Sequence, residues 1–296
     1  VLRYVPLRRF TFRVAASDEP NAAIIGKFKR RSRIVDAYNR LTAVTDAIDR
    51  APVSFAVPDP IWLDHARCLY FQEAQPGDNL AALLDQHSMR TLLHRVGALH
   101  HELHQLDVSN VPSWDLDAFL RDLLHDVFWI MFFQPHHAVL LTHVQRLLFK
   151  TMPLVSTSMY RLCHGDFVCS QLLVADDRWS VTDWDLCHCG DPYLDMAVLL
   201  TSLPYDVPLF AEQASQPHLA HAELLEAACA SYLAGYKDAA GQALDTPRLL
   251  WYRLCTEIRY LALMFKKDWF QPAACDQAFE RVRSLSAQLQ EAGGLR

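Results

Sequence analysis

The sequence predicts an α+β fold in two parts, a small β-rich N-terminal part and a larger, mainly helical remainder, and three observations carry that expectation. The first 33 residues alternate polar and apolar side chains in short runs, as half-buried strands do. Beyond Gly77 the apolar residues recur at the spacing of one helix face. A short β-like island at 171–183 interrupts those helices.

Arg3-Tyr4-Val5 and Phe10 to Val14 read as the first strands, and Ser17-Asp18-Glu19-Pro20-Asn21 as a turn. Ala23 to Phe28 reads as the third strand. Ile34, Tyr38, Leu41, Thr45 and Ile48 give an amphipathic helix over 33–49. Pro52, Pro58 and Pro60 punctuate the segment after that helix, and Cys68 to Gln72 is a further short strand. Leu92, Val96, Leu99 and Leu103 then keep a helical period. Further helices are expected at 114–132 and 136–150, and at about 194–202, 220–238, 247–267 and 274–291. Between them, Gln171 to Ala175 and Trp179 to Asp183 form a hairpin around Asp176-Asp177.

The chain has 296 residues, enough to bury a substantial core without staples. Its net charge of −6 argues against nucleic acid as the main partner, though a local basic patch that holds phosphate is compatible with it. No apolar run approaches the ~20 residues that span a membrane. The eight cysteines are scattered, without paired CxxC spacing, and read as reduced thiols. Together these predict a cytoplasmic protein; the chain begins at Val1, so its upstream end is left open.

Chemistry concentrates in Arg161 to Gln171 and Thr182 to Asp195. Asp166 follows His164-Gly165; Gln171 comes five residues after that Asp; Asp183 closes the hairpin; and Gly190-Asp191-Pro192-Tyr193-Leu194-Asp195 leads into a helix. Phosphoryl transfer needs a carboxylate to orient a hydroxyl and take its proton, and oxygen ligands for Mg²⁺ on the phosphates. Asp166 suits the first task, and Gln171 and Asp183 suit the second.

In order and spacing these four elements, over 32 residues, resemble the aminoglycoside phosphotransferase and choline-kinase-like family, which shares the protein-kinase fold. The resemblance implies a two-lobed protein-kinase-like α+β fold: a small β-rich N-lobe with hinge at 1–74, and a larger, mainly helical C-lobe at 75–296. It implies Asp166 as catalytic base, Gln171 and Asp183 as Mg²⁺ ligands, and ATP or GTP as phosphate donor to a hydroxyl of a small molecule. Gly26-Lys27-Phe28 is similar to the family strand whose Lys contacts the α- and β-phosphates, although alternation puts Lys29 on the same strand face. Gln72, Glu73 and Ala74 sit where the family's linker binds adenine through its backbone. Val96 through His104 looks like the family helix that ends in Leu-His.

The chain departs from the pattern in two places. No glycine-rich phosphate loop is present; Tyr4-Val5-Pro6-Leu7-Arg8-Arg9 stands there, so Arg8 and Arg9 are the candidate phosphate contacts. The helix after Lys27 has no Glu, only Asp36, Asp46 and Asp49. These departures motivate an alternative reading as a catalytically weak, pseudokinase-like binding protein, which the retained Asp166 and Asp183 oppose.

Several other polar and aromatic residues have plainer roles. His164 is expected to brace its loop. Asp191 and Asp195 are expected to hydrogen-bond backbone and start the next helix. Asp185 is expected to be an exposed acid rather than a metal contact. His100 and His104 share a helix face but lack the Glu spacing of a zinc motif, so packing or a solvated face is expected. Cys187-His188-Cys189 has no second pair at ligand spacing. Trp114, Asp115, Trp129, Tyr193, Trp251 and Tyr252 are candidates for an acceptor wall, with the core as the more ordinary place for them.

Overall fold

A computed structural model describes residues 2–5, 9–15, 23–212, 218–266 and 271–293. The expected turn at 17–21 and the predicted phosphate contact Arg8 lie outside the described residues.

The N-terminal sheet is antiparallel. Strands β1 (Arg3–Val5), β2 (Arg9–Ala15) and β3 (Ala23–Lys29) lead into helix α1 (Arg31–Ile48). After the two-residue strand β4 (Phe55–Ala56) come β5 (Pro60–Asp64) and β6 (Leu69–Glu73), and the sheet order is β1-β2-β3-β6-β5. Strand periodicity sorts its side chains. Phe10, Phe12, Phe28 and Phe71 crowd one face, with Phe10 and Phe12 stacked at 5.2 Å. The other face carries Lys27 opposite Thr11 and Tyr70. Helix α1 covers that second face, where Tyr38 meets Tyr70 edge-on at 5.9 Å.

The remainder is mostly helical. Strand β7 (Asp78–Asn79) precedes the single-turn α2 (Leu80–Leu83), then α3 (Met89–His104), α4 (Leu116–Phe133) and α5 (Ala138–Lys150). Strand β8 (Arg161–Cys163) begins the dense segment. The expected hairpin is β9 (Leu172–Ala175) with β10 (Arg178–Val181), and β11 (His188–Gly190) returns beside β8. Helices α6 (Pro192–Asp206), α7 (Pro208–Glu212), α8 (His218–Ala240), α9 (Thr246–Lys266) and α10 (Pro272–Gly293) complete the chain. The predicted long helices are all found, most with ends moved by two residues or fewer. The short strands β4, β7, β8 and β11 carry too few residues to show a period, and the sequence reading missed them.

Two apolar clusters hold the molecule. One runs from Ile34 and Leu41 of α1 and Tyr70 of β6 through Leu93, Leu99, Phe167, Leu172 and Trp184 to Leu200 and Tyr232. The other joins α4, α5, α9 and α10 through Phe119, Ile130, Leu141, Trp251, Ile258 and Phe279. Helices α3 and α8 touch backbone to backbone. A Cβ on Gly97 would lie 2.1 Å from the Tyr232 carbonyl oxygen, and one on Gly235 would lie 1.9 Å from that of His94. Only glycine admits so close an approach. Among the described residues, no helix is long and apolar enough to cross a membrane.

Candidate active site

The site is built where the loop after β8, the end of the β9–β10 hairpin and the inward face of β3 converge. Its anchor is Asp195, in the first turn of α6. The amide of His164 donates to Asp195 Oδ2 at 2.6 Å, and the amide of Gly165 donates to Oδ1 at 2.8 Å. One buried carboxylate thus fixes the backbone that carries Asp166. Gly165 sits at φ +80, and a Cβ there would lie 2.4 Å from the Leu186 carbonyl oxygen. The loop is pressed onto the turn at 184–186 and needs glycine twice over.

His164 is fully engaged. Its Nδ1 accepts from the Asp166 amide at 3.3 Å, which leaves Nε2–H to donate to the Thr182 carbonyl at 2.8 Å. With both ring nitrogens bonded, the ring ties the Asp166 loop to the hairpin end, as expected of a brace. Asp166 itself is half-buried. Burial raises its carboxyl above the usual range, His164 opposes that rise, and the charge of Asp183 adds to it. A carboxylate so placed is a better proton acceptor than a free one.

Gln171 and Thr182 lock the two hairpin ends together. The Thr182 amide donates to the Gln171 carbonyl at 2.9 Å, and Thr182 Oγ1 donates to the same carbonyl at 3.0 Å and to Gln171 Oε1 at 3.3 Å. The Gln171 side chain therefore lies beside the residue that precedes Asp183. Asp183 has φ +64 and ψ +50, a left-handed conformation that few non-glycine residues adopt. Such backbone marks sites where a side chain is aimed at a cost. An amide oxygen and a carboxylate oxygen are the hard donors that Mg²⁺ prefers.

Basic residues face these acids. Lys27 is 7% exposed, and its ammonium donates to Asp183 Oδ1 at 2.8 Å. Arg9 Nη1 lies 3.8 Å from Asp183 Oδ2. Burial works against the Lys27 charge, but Asp183 and then Asp185 overcome it and hold the amine protonated. Lys29, on the same strand face, pairs with Asp185. Lys27 thus pairs most closely with Asp183, and Lys29 with Asp185, whose Oδ1 is also 3.8 Å from Lys27 Nζ. The expectation of an exposed Asp185 is corrected: its side chain is 9% exposed, because α1 packs over the turn that carries it. Gln72 is buried in β6. The amide of Glu73 donates to the Asp59 carbonyl at 2.9 Å and that of Ala74 to the Ala23 carbonyl at 3.1 Å.

Asp191 caps α6, accepting from the Tyr193 amide at 3.0 Å, and is bridged by Arg248 at 2.8 and 2.7 Å. Arg248 was not anticipated; a charge in an apolar helix run was its only signal. His100 and His104 are fully buried and share a face, as the packing reading expected. Their ligand atoms and that of Asp195 lie within 4.8 Å of one another, a spacing a metal ion can use. Hydrogen bonds already occupy most of those atoms. His100 Nε2 is 3.2 Å from Asp195 Oδ2, and the two Nδ1 atoms meet the hydroxyls of Tyr232 and Tyr236 at 2.7 and 2.8 Å.

Of the six residues named for an acceptor wall, Trp251 and Tyr252 are core, and Asp115 caps α4. Tyr193 receives the Asp245 amide at 2.7 Å, and the Trp129 indole donates to His125 at 2.9 Å. Trp114 packs against Phe119 at 5.4 Å. Tyr260 of α9, stacked on Tyr205 at 5.2 Å, lies within electrostatic reach of Asp166. Burial first, then the charges of Asp166 and Asp206, raise its phenol. Neither tyrosine had a sequence signal, since both lie in helices read only for period.

A model of the phosphotransferase enzyme family matches residues 8–250. A comparison with curated proteins returns no match. Among solved structures, a thermostable mutant of the aminoglycoside phosphotransferase APH(4)-Ia aligns over 97% of this chain and 93% of its own, with TM-score 0.66 and 14% identity. The amicoumacin kinase hAmiN, solved in complex with AMP-PNP, Ca²⁺ and Ami, aligns over 97% of this chain and 87% of its own, with TM-score 0.62 and 14% identity. Choline kinase LicA from Streptococcus pneumoniae aligns over 95% of each chain, with TM-score 0.59 and 11% identity. At these identities the likeness is one of fold, and the fold is the two-lobed, protein-kinase-like α+β arrangement that the sequence resemblance implied.

Proposed function

The chain belongs to the phosphotransferase enzyme family, and on that footing we propose that it transfers the γ-phosphate of ATP or GTP to a hydroxyl of a small molecule. The single observation that carries the reading is the convergence of Asp166, Asp183 and Lys27, with Asp183 in left-handed backbone and paired with Lys27 at 2.8 Å. That arrangement spends strain and a buried cation on one carboxylate, which a passive surface has no reason to do.

Asp166 orients the acceptor hydroxyl and takes its proton. Its raised carboxyl, held on the Asp195-anchored loop, suits that step. Gln171 and Asp183 hold Mg²⁺, which when bound supplies charge neutralisation on the triphosphate. Lys27 steadies the α- and β-phosphates, and Arg9, with its neighbour Arg8, stands in for an absent glycine loop. The backbone at Gln72, Glu73 and Ala74 reads adenine; the amides of Glu73 and Ala74 must then exchange their present carbonyl partners for the base. Residues 1–74 act as the nucleotide lobe and 75–296 as the lobe carrying the catalytic loop and the acceptor site, where Tyr205 and Tyr260 offer an aromatic wall. Eight free cysteines fit work in the reducing cytoplasm.

A thermal-shift series tests nucleotide use. A ligand that binds only the native state raises the melting temperature by mass action. ATP or GTP with Mg²⁺ should raise it more than either nucleotide with a chelator. No Mg²⁺-dependent shift with either nucleotide would count against the reading.

A further inference from the structure

Lys27 is a buried cation, and the helix that should supply its acidic partner does not. Asp36, Asp46 and Asp49 all face solvent. Toward the site α1 instead presents Tyr38 and Arg40, and Arg40 Nη1 donates to the Asp185 carbonyl at 3.1 Å. The Asp185 carboxylate is pinned as well: Tyr70 donates its hydroxyl to Oδ1 at 2.8 Å, and the Lys29 ammonium donates to Oδ2. Oδ1 then stands 3.8 Å from Lys27 Nζ.

Asp183 lies nearer to Lys27, at 2.8 Å, but it is also the carboxylate proposed to take the metal. Turning it toward a divalent cation removes the closest anion from a lysine that is 7% exposed. A buried charge left without a partner is strongly disfavoured. Among the described residues, Asp185 is the other carboxylate within ion-pair reach of Lys27; beside its hydrogen bond with Asp183 it is held from β3, β6 and α1, by Lys29, Tyr70 and Arg40, whose contacts do not involve Asp183.

We propose that Asp185 is the standing acidic partner of Lys27: a positioning residue that keeps the ammonium aimed at the nucleotide phosphates in place of a helix acid, with Tyr70, Lys29 and Arg40 as its brace. The inference rests on the phosphotransferase reading. It also accounts for two features together, a helix after Lys27 without a glutamate and an arginine on that helix, Arg40, that reaches the Asp185 backbone. The missing acid has moved two residues beyond Asp183, and the helix grips it through its backbone.

The test measures Mg·ATP affinity and ATP turnover for the full chain and its Asp185→Asn, Asp185→Glu and Asp36→Asn variants, with Asp185→Asn repeated in a Lys27→Met background. Asp185→Asn should weaken Mg·ATP binding about tenfold or more, Asp185→Glu should recover most of that loss, and Asp36→Asn should match wild type. In the Lys27→Met background Asp185→Asn should add little, since both changes break one pair. Wild-type affinity in Asp185→Asn overturns the inference and leaves the phosphotransferase reading intact. So does a loss of the same size in the Lys27→Met background, or a raised Mg²⁺ requirement that persists there, which would make Asp185 a metal ligand. A wild-type chain that binds no Mg·ATP overturns both. If Asp185→Asn does not fold, Tyr70→Phe takes its place: weakened binding supports the brace, and unchanged binding overturns it.

Discussion

At the scale of single residues, Asp166 and Asp183 differ because their surroundings differ. Both are carboxylates partly removed from water. Asp183 has Lys27 at 2.8 Å and Arg9 at 3.8 Å; burial works against its charge, but Lys27, a hydrogen bond with Asp185 and the charge of Lys29 hold it well below the usual range. At Asp166 burial outweighs the opposing charges of His164 and Arg9, and the carboxyl is raised. One is therefore held as an anion and the other raised toward neutrality, the difference that the proposed roles of metal ligand and base require. This sets the sign of the pH dependence of activity. A base must be ionised, and a raised carboxyl stays protonated to higher pH than a free one. The acid limb of ATP turnover should therefore fall above the usual carboxylate range near 4, as measured in a pH–rate profile. A limb at or below that value would remove the claim that Asp166 is tuned. These residues were legible because motif spacing is a property of the chain. Asp185, Tyr70 and Arg40 were not. Tyr70 reaches the site only through its register opposite Lys27, and Arg40 only through the rotation of α1.

At the scale of elements, α3, α6 and α8 form a scaffold whose purpose is to hold one loop. Tyr232 and Tyr236 on α8 orient His100 and His104 on α3, and His100 meets Asp195 on α6, which holds the amides of His164 and Gly165. Burial, then the neighbouring His104, push the His100 imidazole down to about 3. The unfolded chain binds that proton near 6.5 while the folded chain refuses it until about 3. The unfolded state thus holds more protons in that window, and stability rises with pH across it. Asp195 works in the same direction at lower pH; burial opposes its charge, but the histidines keep it ionised well below the usual range. The melting temperature should therefore hold above pH ~6.5 and fall steadily toward pH ~3. In a His100→Gln chain the part of that slope nearest pH 6 should be lost; an unchanged slope would show that His100 is not the group responsible. The period of α3 was plain in the sequence, and so was the shared face of the two histidines. The tyrosines that meet them lie about 130 residues later on α8, and the contact depends on the glycines at 97 and 235. A single sequence without its partner helix cannot display that pairing.

At the scale of the whole molecule, the design joins a sheet that brings cations to a helical body that brings carboxylates. The sheet supplies Arg9, Lys27 and Lys29; the helical body supplies Asp166, Gln171, Asp183 and Asp185. The two-part order was legible because strand and helix periods differ, and the family was legible from the motif spacing over the 32 residues His164 to Asp195. The acceptor was not, because the wall proposed for it, Tyr205 with Tyr260, lies on helices that the chain brings together only in the fold. The central claim is that this assembly moves a γ-phosphate through Asp166. The most direct measurement follows labelled γ-phosphate from Mg·ATP into a pool of sugars, aminoglycosides, choline-like alcohols and amino-acid alcohols, or into water, for the wild type and for Asp166→Asn. Label should leave ATP with the wild-type chain, and the rate should fall at least ~100-fold in Asp166→Asn, the scale of general base catalysis. Label that stays in ATP with the wild type, or leaves it equally fast from both chains, would contradict the account.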